Sequence, residues 1–388
     1  MTDAQHHTPC PQCGAELRFD PARGMLHCDH CGHEEPAAPG GLSAGGPKPP
    51  QSLTRVPSTR AAHEARQSAL NEQDYRAALA NALPPSQMEE RRTVTCPSCG
   101  ASFDFDPAVH AAECPFCATP IVTDTGAHRQ IKPQAVVPFQ LDQTQAREAM
   151  TAWLGRLWFA PNGLVDYARK GRAMNGIYVP YWTYDATTRT EYTGQRGEAY
   201  YETETVVVNV NGRDEMQTRQ VRRIAWYPAA GTVGRRFDDV LVMASTGLPR
   251  DYVDALEPWD LGTLTAYSPD YLAGFRAEGY TVGLRDGFGI AQQKMQPVIE
   301  GDVRADIGGD EQMIASMDTE TSDETFKHVL LPIWMAAYKY RGKTYRFVVN
   351  GQTGRVRGER PWSAWKIAFA VLLALIALGI FVIVTQNR

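Results

Sequence analysis

Eight cysteines, all within the first 117 of 388 residues, carry the clearest chemistry in this chain. They fall in two sets, CPQCGAELRFDPARGMLHCDHC over 10–31 and CPSCGASFDFDPAVHAAECPFC over 96–117. Each reads Cys-x2-Cys-x14-Cys-x2-Cys, the two are offset by 86 residues, and both share the frame CPxCGAxxxFDPA. Two short Cys-x-x-Cys loops can close a tetrahedral thiolate shell around one zinc ion, with metal–sulfur distances near about 2.3 Å. The expected ligands are Cys10, Cys13, Cys28 and Cys31 for one site and Cys96, Cys99, Cys114 and Cys117 for the other. Four protein ligands leave no open position for an activated water, so two structural Zn2+ sites are expected and no catalytic one.

The neighbours of these cysteines fit the same reading. Gly14, Gly32 and Gly100 follow the second Cys of their loops, where a left-handed backbone suits glycine, while Ala118 holds the fourth such place. Pro9, Pro11, Pro97 and Pro115 stiffen the turns. His27, His30 and His33 crowd the first set and are expected to be solvated, since four thiolates already complete the shell. Redox Cys-x-x-Cys pairs would need a βαβ surround, and no such pattern is visible. The opening MTDAQHHTPCPQCG has no basic stretch followed by an apolar run, so no signal peptide is expected, and disulfides lose the oxidising compartment they need.

Net charge is −5 with thiols neutral and falls to about −9 once two Zn(Cys)4 sites are formed. Residues 93–123 contain no Lys or Arg against Asp104, Asp106 and Glu113; residues 9–35 set Arg18 and Arg23 against Glu16, Asp20, Asp29, Glu34 and Glu35. Phosphate neutralisation supplies most non-specific nucleic-acid affinity, and both cysteine segments have the wrong sign for it. A nucleic-acid partner is therefore disfavoured. Its best support is a basic face from Arg219, Arg222, Arg223, Arg235 and Arg236, whose alternative is local ion pairing or attraction to anionic lipid.

The elements that must position these sites follow from composition and period. The expected organisation is a zinc ribbon over 8–35, a Pro/Gly/Ser-rich flexible linker over 36–60 and a helical linker over 61–92. A second ribbon over 93–123, a β-rich α+β domain over 130–360 and a transmembrane helix over 366–385 complete it. As a coil of about 25 residues the linker spans roughly 25–30 Å, which leaves the first ribbon tethered rather than docked. Residues 61–82 are Ala-rich and stop before Pro84-Pro85, as an exposed helix would. Asp142 to Phe159 reads as an amphipathic helix with Asp142 and Gln145 as a capping pair and Ala146, Met150, Trp153, Leu154 and Leu157 on one stripe.

Residues 176–228 and 327–358 are strand-like, with Asn211-Gly212 and Asn350-Gly351 as hairpin turns. Val179-Pro-Tyr-Trp182 and Leu331-Pro-Ile-Trp334 echo each other, and their prolines suit strand starts lying side by side. Residues 235–300 offer a helix near Leu272–Glu278, and GLRDGFGI (283–290) reads as a loop. The aromatics of 178–184 and 334–347 suit a core or a groove, core being favoured.

Ile367 to Val384 is 18 residues without a charge or polar side chain, about 27 Å as a helix and close to the hydrocarbon thickness of a bilayer. Trp362 and Trp365 suit interfacial anchors and Lys366 can snorkel. Lys343, Arg346, Arg355, Arg357, Arg360 and Lys366 lie upstream against Arg388 downstream, so the folded bulk is expected inside and a short tail outside, a tail-anchored topology.

The combination of CPSCG with CPFC, WFAPNGL (158–164), GIYVPYWTYDA (176–186) and LPIWMAAYKYRGKTYRFVVNGQTGRVRGERP (331–361) resembles a family of bacterial membrane-anchored zinc-ribbon proteins, TFIIB-type and sometimes labelled primosomal helicase-like. The resemblance implies an inner (cytoplasmic) membrane protein working with SPFH-domain or phage-shock protein A-like partners in membrane stress. The helicase label finds no residue to carry it. There is no G-x-x-x-x-G-K-[ST], nor G-x-S-x-G or H-E-x-x-H, and His128 and His328 stand alone. The expectation is a non-enzymatic zinc-binding membrane adaptor without a small-molecule substrate; the rival is a membrane-tethered nucleic-acid factor of replication or transcription.

Overall fold

The computed structural model describes residues 8–37, 70, 72–80, 83–104, 111–114, 120–122, 126–159, 174–210, 213–340, 343–359 and 362–386. Asn211-Gly212, most of the 36–60 linker, Cys117 and Ala118 lie outside them. The fold is α+β and mostly sheet. β1 (Leu17–Asp20), β2 (Met25–Cys28) and β3 (Glu34–Pro36) form a three-stranded antiparallel sheet between the first cysteines.

The rest is organised by three long strands, β11 (Asn175–Val210), β12 (Arg213–Met243) and β15 (Glu311–Tyr340), with β11 between the other two. β10 (Ala135–Val136) and β13 (Thr265–Ala266) extend the sheet beyond β15, and β4 (Gln73–Asp74) also pairs there. β14 (Arg276–Gly279) pairs parallel with β11 and leads through β6 (Ser102–Asp104) and β5 (Met88–Thr95) to β9 (Gly126–Ile131). β7 (Ala111–Glu113) and β8 (Pro120–Val122) form a separate pair.

The two Pro-x-Trp segments lie against each other, with Tyr178 opposite Pro332 and Pro180 opposite Leu330. Neither proline starts its strand. Pro180 accepts a hydrogen bond from the Ala244 N–H, one residue past the last β11–β12 pair, Tyr181 with Met243. Pro332 accepts from the Gly351 N–H, one residue past the end of the β15 ladder with β16 (Lys343–Asn350). A residue in an antiparallel strand points its N–H and C=O the same way, so each missing donor falls where the neighbouring ladder has just ended. Tyr178, Trp182 and Tyr184 are wholly buried and Tyr181 nearly so, which makes these aromatics core rather than groove.

Behind them lies α4 (Leu284–Ile307), a 24-residue helix that begins inside the segment expected to be a loop. Leu284, Phe288, Ala291, Met295, Ile299, Val303 and Ile307 repeat every three or four residues and are all buried. Its glycines hid it. A Cβ at Gly287 would lie 2.4 Å from the Tyr184 hydroxyl and 2.8 Å from the Trp182 ring, so that glycine serves close approach and not a turn. The helix expected near Leu272–Glu278 is instead a 3-10 turn at Pro269–Leu272 followed by β14, and the short α3 (Arg250–Asp254) lies earlier in the same segment. Of the expected helical linker over 61–92, the described part is helical at α1 (Tyr75–Leu79), while 88–92 belong to β5.

α2 (Gln143–Gly155) starts on the expected capping box: Asp142 Oδ1 accepts from the Gln145 N–H at 2.8 Å and Gln145 Oε1 from the Asp142 N–H at 2.9 Å. It buries Ala146, Met150 and Leu154 against β16 and β17 (Val356–Gly358), with Trp153 edge-on to Phe347 at 5.5 Å. The β16–β17 hairpin forms at the predicted place, but its connection is the loop Gly351–Gly354 after Asn350, which is still paired with Ile333. Gly354 and not Gly351 is its left-handed residue, Gly351 serving close approach to Phe139. α5 (Ala364–Gln386) follows; its window Trp365–Val382 has mean hydropathy 2.5 and no part of it is buried. It is long and apolar enough to span a membrane.

Gly287→Ala should lower stability by about 1–3 kcal/mol through overpacking against Tyr184, read as an earlier midpoint in chemical denaturation, whereas Gly289→Ala, with open space around it, should change little.

Candidate metal centres

The three described cysteine loops are built the same way. The Cys10 carbonyl accepts from the Gly14 N–H at 2.8 Å and the Cys10 N–H donates to the Ala15 carbonyl at 2.7 Å. Cys28 does the same with Gly32 and His33, at 2.9 Å each, and Cys96 with Gly100 and Ala101 at 2.9 and 2.8 Å. Gly14, Gly32 and Gly100 sit at φ of 75°, 73° and 75°, the left-handed conformation their sequence positions suggested. The turn points the loop N–H groups inward at sulfur.

The four Sγ atoms of Cys10, Cys13, Cys28 and Cys31 lie within 4.8 Å of one another, with Cys10–Cys31 and Cys13–Cys28 at 3.5 Å. A tetrahedral site with metal–sulfur bonds of about 2.3 Å needs edges of roughly 3.8 Å, so this cage fits a metal ion of that size. The same separations are far too long for disulfides. In the second cluster Cys96, Cys99 and Cys114 converge in the same way, with Cys99–Cys114 at 3.7 Å; Cys117 lies outside the described residues.

The charge chemistry of the first cage also favours a cation. Backbone N–H groups of Cys31 and His30 point at Cys28 and lower its thiol to about 6. Cys31 is helped towards ionisation by the His33 N–H, yet burial and three neighbouring sulfurs outweigh this and push it up to about 12. Cys13 is raised as well: the Ala15 N–H favours its thiolate, but burial and nearby sulfurs win. Cys28 ionises readily while Cys13 and Cys31 resist, an imbalance that a bound dication removes by drawing off their protons. His27 and His33 face Glu34 and Glu35 at 3.5 and 3.6 Å rather than completing the cage.

Neither cysteine unit hangs free. The Phe19 N–H donates to the Ala273 carbonyl at 3.0 Å, the Phe19 ring meets Tyr271 edge-on at 5.3 Å, and Leu17, Leu26 and Cys28 share a core with Tyr178 and Trp334. The expected tethered first unit is thus docked, because its inward face is apolar and buries more than a coil can offset. A cleft of about 410 Å³ runs along this junction, bordered by Arg18, His27, Asp29 and Arg276, with Arg18 and Asp29 paired at 3.5 Å. The second unit joins the main sheet through β6 and β14.

At that joint lies Glu278, which sequence reasoning missed. It is completely buried, and the Ser245 hydroxyl donates to it. Burial pushes its carboxyl up to about 8 despite the help of Ser245 and the Ser102 N–H. Only an acidic residue two places after a strand start marked it, which is no signal.

A third cluster, the acidic Glu72, Asp185 and Asp238, was not foreseen either. Lys327 already supplies a cation there, 3.3 Å from Glu72, and also pairs at 2.8 Å with Asp239, next to the cluster. His328 is structural, buried beside Trp182 with Nδ1 2.8 Å from the Ile131 carbonyl.

No protein-family model matches the chain and no solved structure matches it. A Bacillus subtilis (strain 168) protein, "Uncharacterized protein YdjG", is 25% identical over 241 residues, 61% of this chain and 66% of that protein. The match covers just under two thirds of that protein's length.

Two measurements follow. Cys28→Ser should remove one metal equivalent from purified protein and Cys114→Ser one other, by elemental analysis; undiminished metal content in either would exclude that cluster as a site. Because Glu278 holds its proton in the fold up to about 8 but releases it near 4.5 when unfolded, the unfolded state binds fewer protons between those values. Stability should therefore fall as pH rises through that window, by about a few kcal/mol in all, and Glu278→Gln should flatten the decline in pH-dependent melts.

Proposed function

We propose that the chain is a non-enzymatic, zinc-binding membrane adaptor that recruits partner proteins to a bilayer. One observation carries the reading: an apolar helix with none of its 18-residue window covered follows the last strand of the domain on which the first cysteine unit docks and whose sheet the second unit joins. Zinc is the metal that four-thiolate shells favour, and the two units then act as zinc ribbons that lock structure and leave no coordination position for chemistry.

With the basic flank inside, the folded bulk stands on the cytoplasmic face of a bacterial inner membrane, held by this helix. The recruiting surface has a natural candidate in the β11–β12 ribbon. It continues past the end of β15 from Glu198 to Val210 and exposes Tyr201, Met216 and Tyr227. Aromatic side chains and Met are enriched in protein interfaces. Partners of the SPFH-domain or phage-shock protein A-like kind, in a membrane-stress response, are the ones this reading names.

The rival nucleic-acid factor is weakened by the state of four of its five arginines, all but Arg236. Arg222 pairs with Glu311 at 2.8 Å, Arg223 with Glu202 at 2.9 Å, Arg219 with Glu204 at 3.5 Å and Arg235 with Asp302. Guanidinium groups already matched to carboxylates release few counterions from a phosphate backbone.

Deleting residues from Ala364 onward should move the protein to the soluble fraction, and protease added to intact spheroplasts should spare the cysteine units. Tyr201→Ala combined with Met216→Ala, and separately Cys96→Ser combined with Cys99→Ser, should abolish co-purification of an SPFH-domain or phage-shock protein A-like partner from solubilised membranes. Tight, steeply salt-dependent DNA or RNA binding lost in the cysteine variant would replace the adaptor with the tethered nucleic-acid factor.

A further inference from the structure

Trp158 is 76% exposed, a degree matched among the described tryptophans only by Trp365 at 80% in the apolar helix itself. It sits just past α2, about two hundred residues away from the anchor in sequence, yet the chain places it at the anchor's root. The Phe159 carbonyl accepts from the Ser363 N–H at 2.8 Å, and the Phe159 ring lies 6.2 Å from that of Trp362, itself 58% exposed. On the other side α2 is fixed to the folded body through Trp153 and Phe347. Trp158 therefore belongs to the body but is tied to the point where the helix leaves it.

Its depth follows from the geometry. The apolar window opens at Trp365, so Ser363 stands about 3 Å outside it at a helical rise of about 1.5 Å per residue. Phe159 is hydrogen-bonded to Ser363, and Trp158 is one Cα step of about 3.8 Å further. The polar layer on each side of the hydrocarbon is roughly 5–8 Å deep; Ser363 lies within it, and the Trp158 backbone is near enough to its edge for an indole side chain to reach in. An indole suits that layer because its apolar body leaves water while its N–H keeps a polar partner.

We propose that Trp158 is a third interfacial anchor, inserted with Trp362 and Trp365 into the headgroup layer of the same bilayer, so that the folded body is held at a set orientation on the membrane instead of swinging from a single helix. The proposal rests on the membrane reading of α5. Because the helix already confines Trp158 to the surface, its insertion is intramolecular, and a modest interaction suffices to keep it there.

The test uses the full chain in vesicles of phosphatidylethanolamine and phosphatidylglycerol, with the photoreactive amino acid p-benzoylphenylalanine placed at Trp158, at Trp365 or at Met216 on the distant ribbon. Lipid adducts are expected at positions 158 and 365 and not at 216. Adducts at 365 without any at 158 would overturn the proposal and leave the membrane reading standing; adducts at neither would remove the membrane reading itself. As an independent measurement, Trp158→Phe in vesicles of lipids brominated near the headgroup should reduce the quenched part of the tryptophan emission by about one third, one of three interfacial indoles. Unchanged quenching would also overturn the proposal.

Discussion

The antiparallel register between β11 and β15 is the constraint from which the remaining structure follows. With Tyr178 opposite Pro332 and Tyr181 opposite Val329, the two Pro-x-Trp segments cross at one level of the sheet, and each proline lies just where an adjacent ladder stops. A slip of one residue would turn Tyr178, Trp182 and Tyr184 to the opposite face and leave α4 without the surface it packs on. Trp182 and Tyr184 also donate to the Val282 and Leu284 carbonyls, at 3.0 and 2.7 Å, so the same register pins the position where that helix starts.

The cysteine units depend on this sheet although their own turns are local. The first borrows its apolar floor from Tyr271, Tyr178 and Trp334, and the second is an extension of the sheet through β6 and β14. A metal ion within either would stabilise a part of the main domain as well as its own loops. Glu278 lies at the second of these joints as a buried carboxyl that is comfortable only when protonated, which ties the firmness of that joint to pH.

The long strands also separate two ends of the molecule. At one end β16, β17 and α2 surround the root of α5; at the other the β11–β12 ribbon runs on without β15. Strands of this length, 36 and 31 residues, reach on the order of 100 Å, enough to present a surface well away from a bilayer held at the root. On the proposed reading, the exposed aromatics at the two ends have two different neighbours, lipid at the root and protein at the ribbon.

Features set by short-range chemistry were legible in the sequence. The Cys-x-x-Cys-Gly turns, the Asp142–Gln145 cap, the β16–β17 hairpin and the apolar length of α5 each need only a few consecutive residues to specify them, and they stand as read. What sequence could not decide were features whose cause lies across the fold. Gly287 looked like a loop residue because its reason, the Tyr184 hydroxyl, is about a hundred positions away. The arginines of β12 looked like a basic face because their carboxylates come from β11, α4 and β15. The first cysteine unit looked tethered because the surface that holds it, Tyr271 and Ala273, shows no pattern of its own. Local propensity and spacing settled the turns, caps and apolar helix; burial against distant residues, a sum over contacts that no window of sequence contains, settled where they sit.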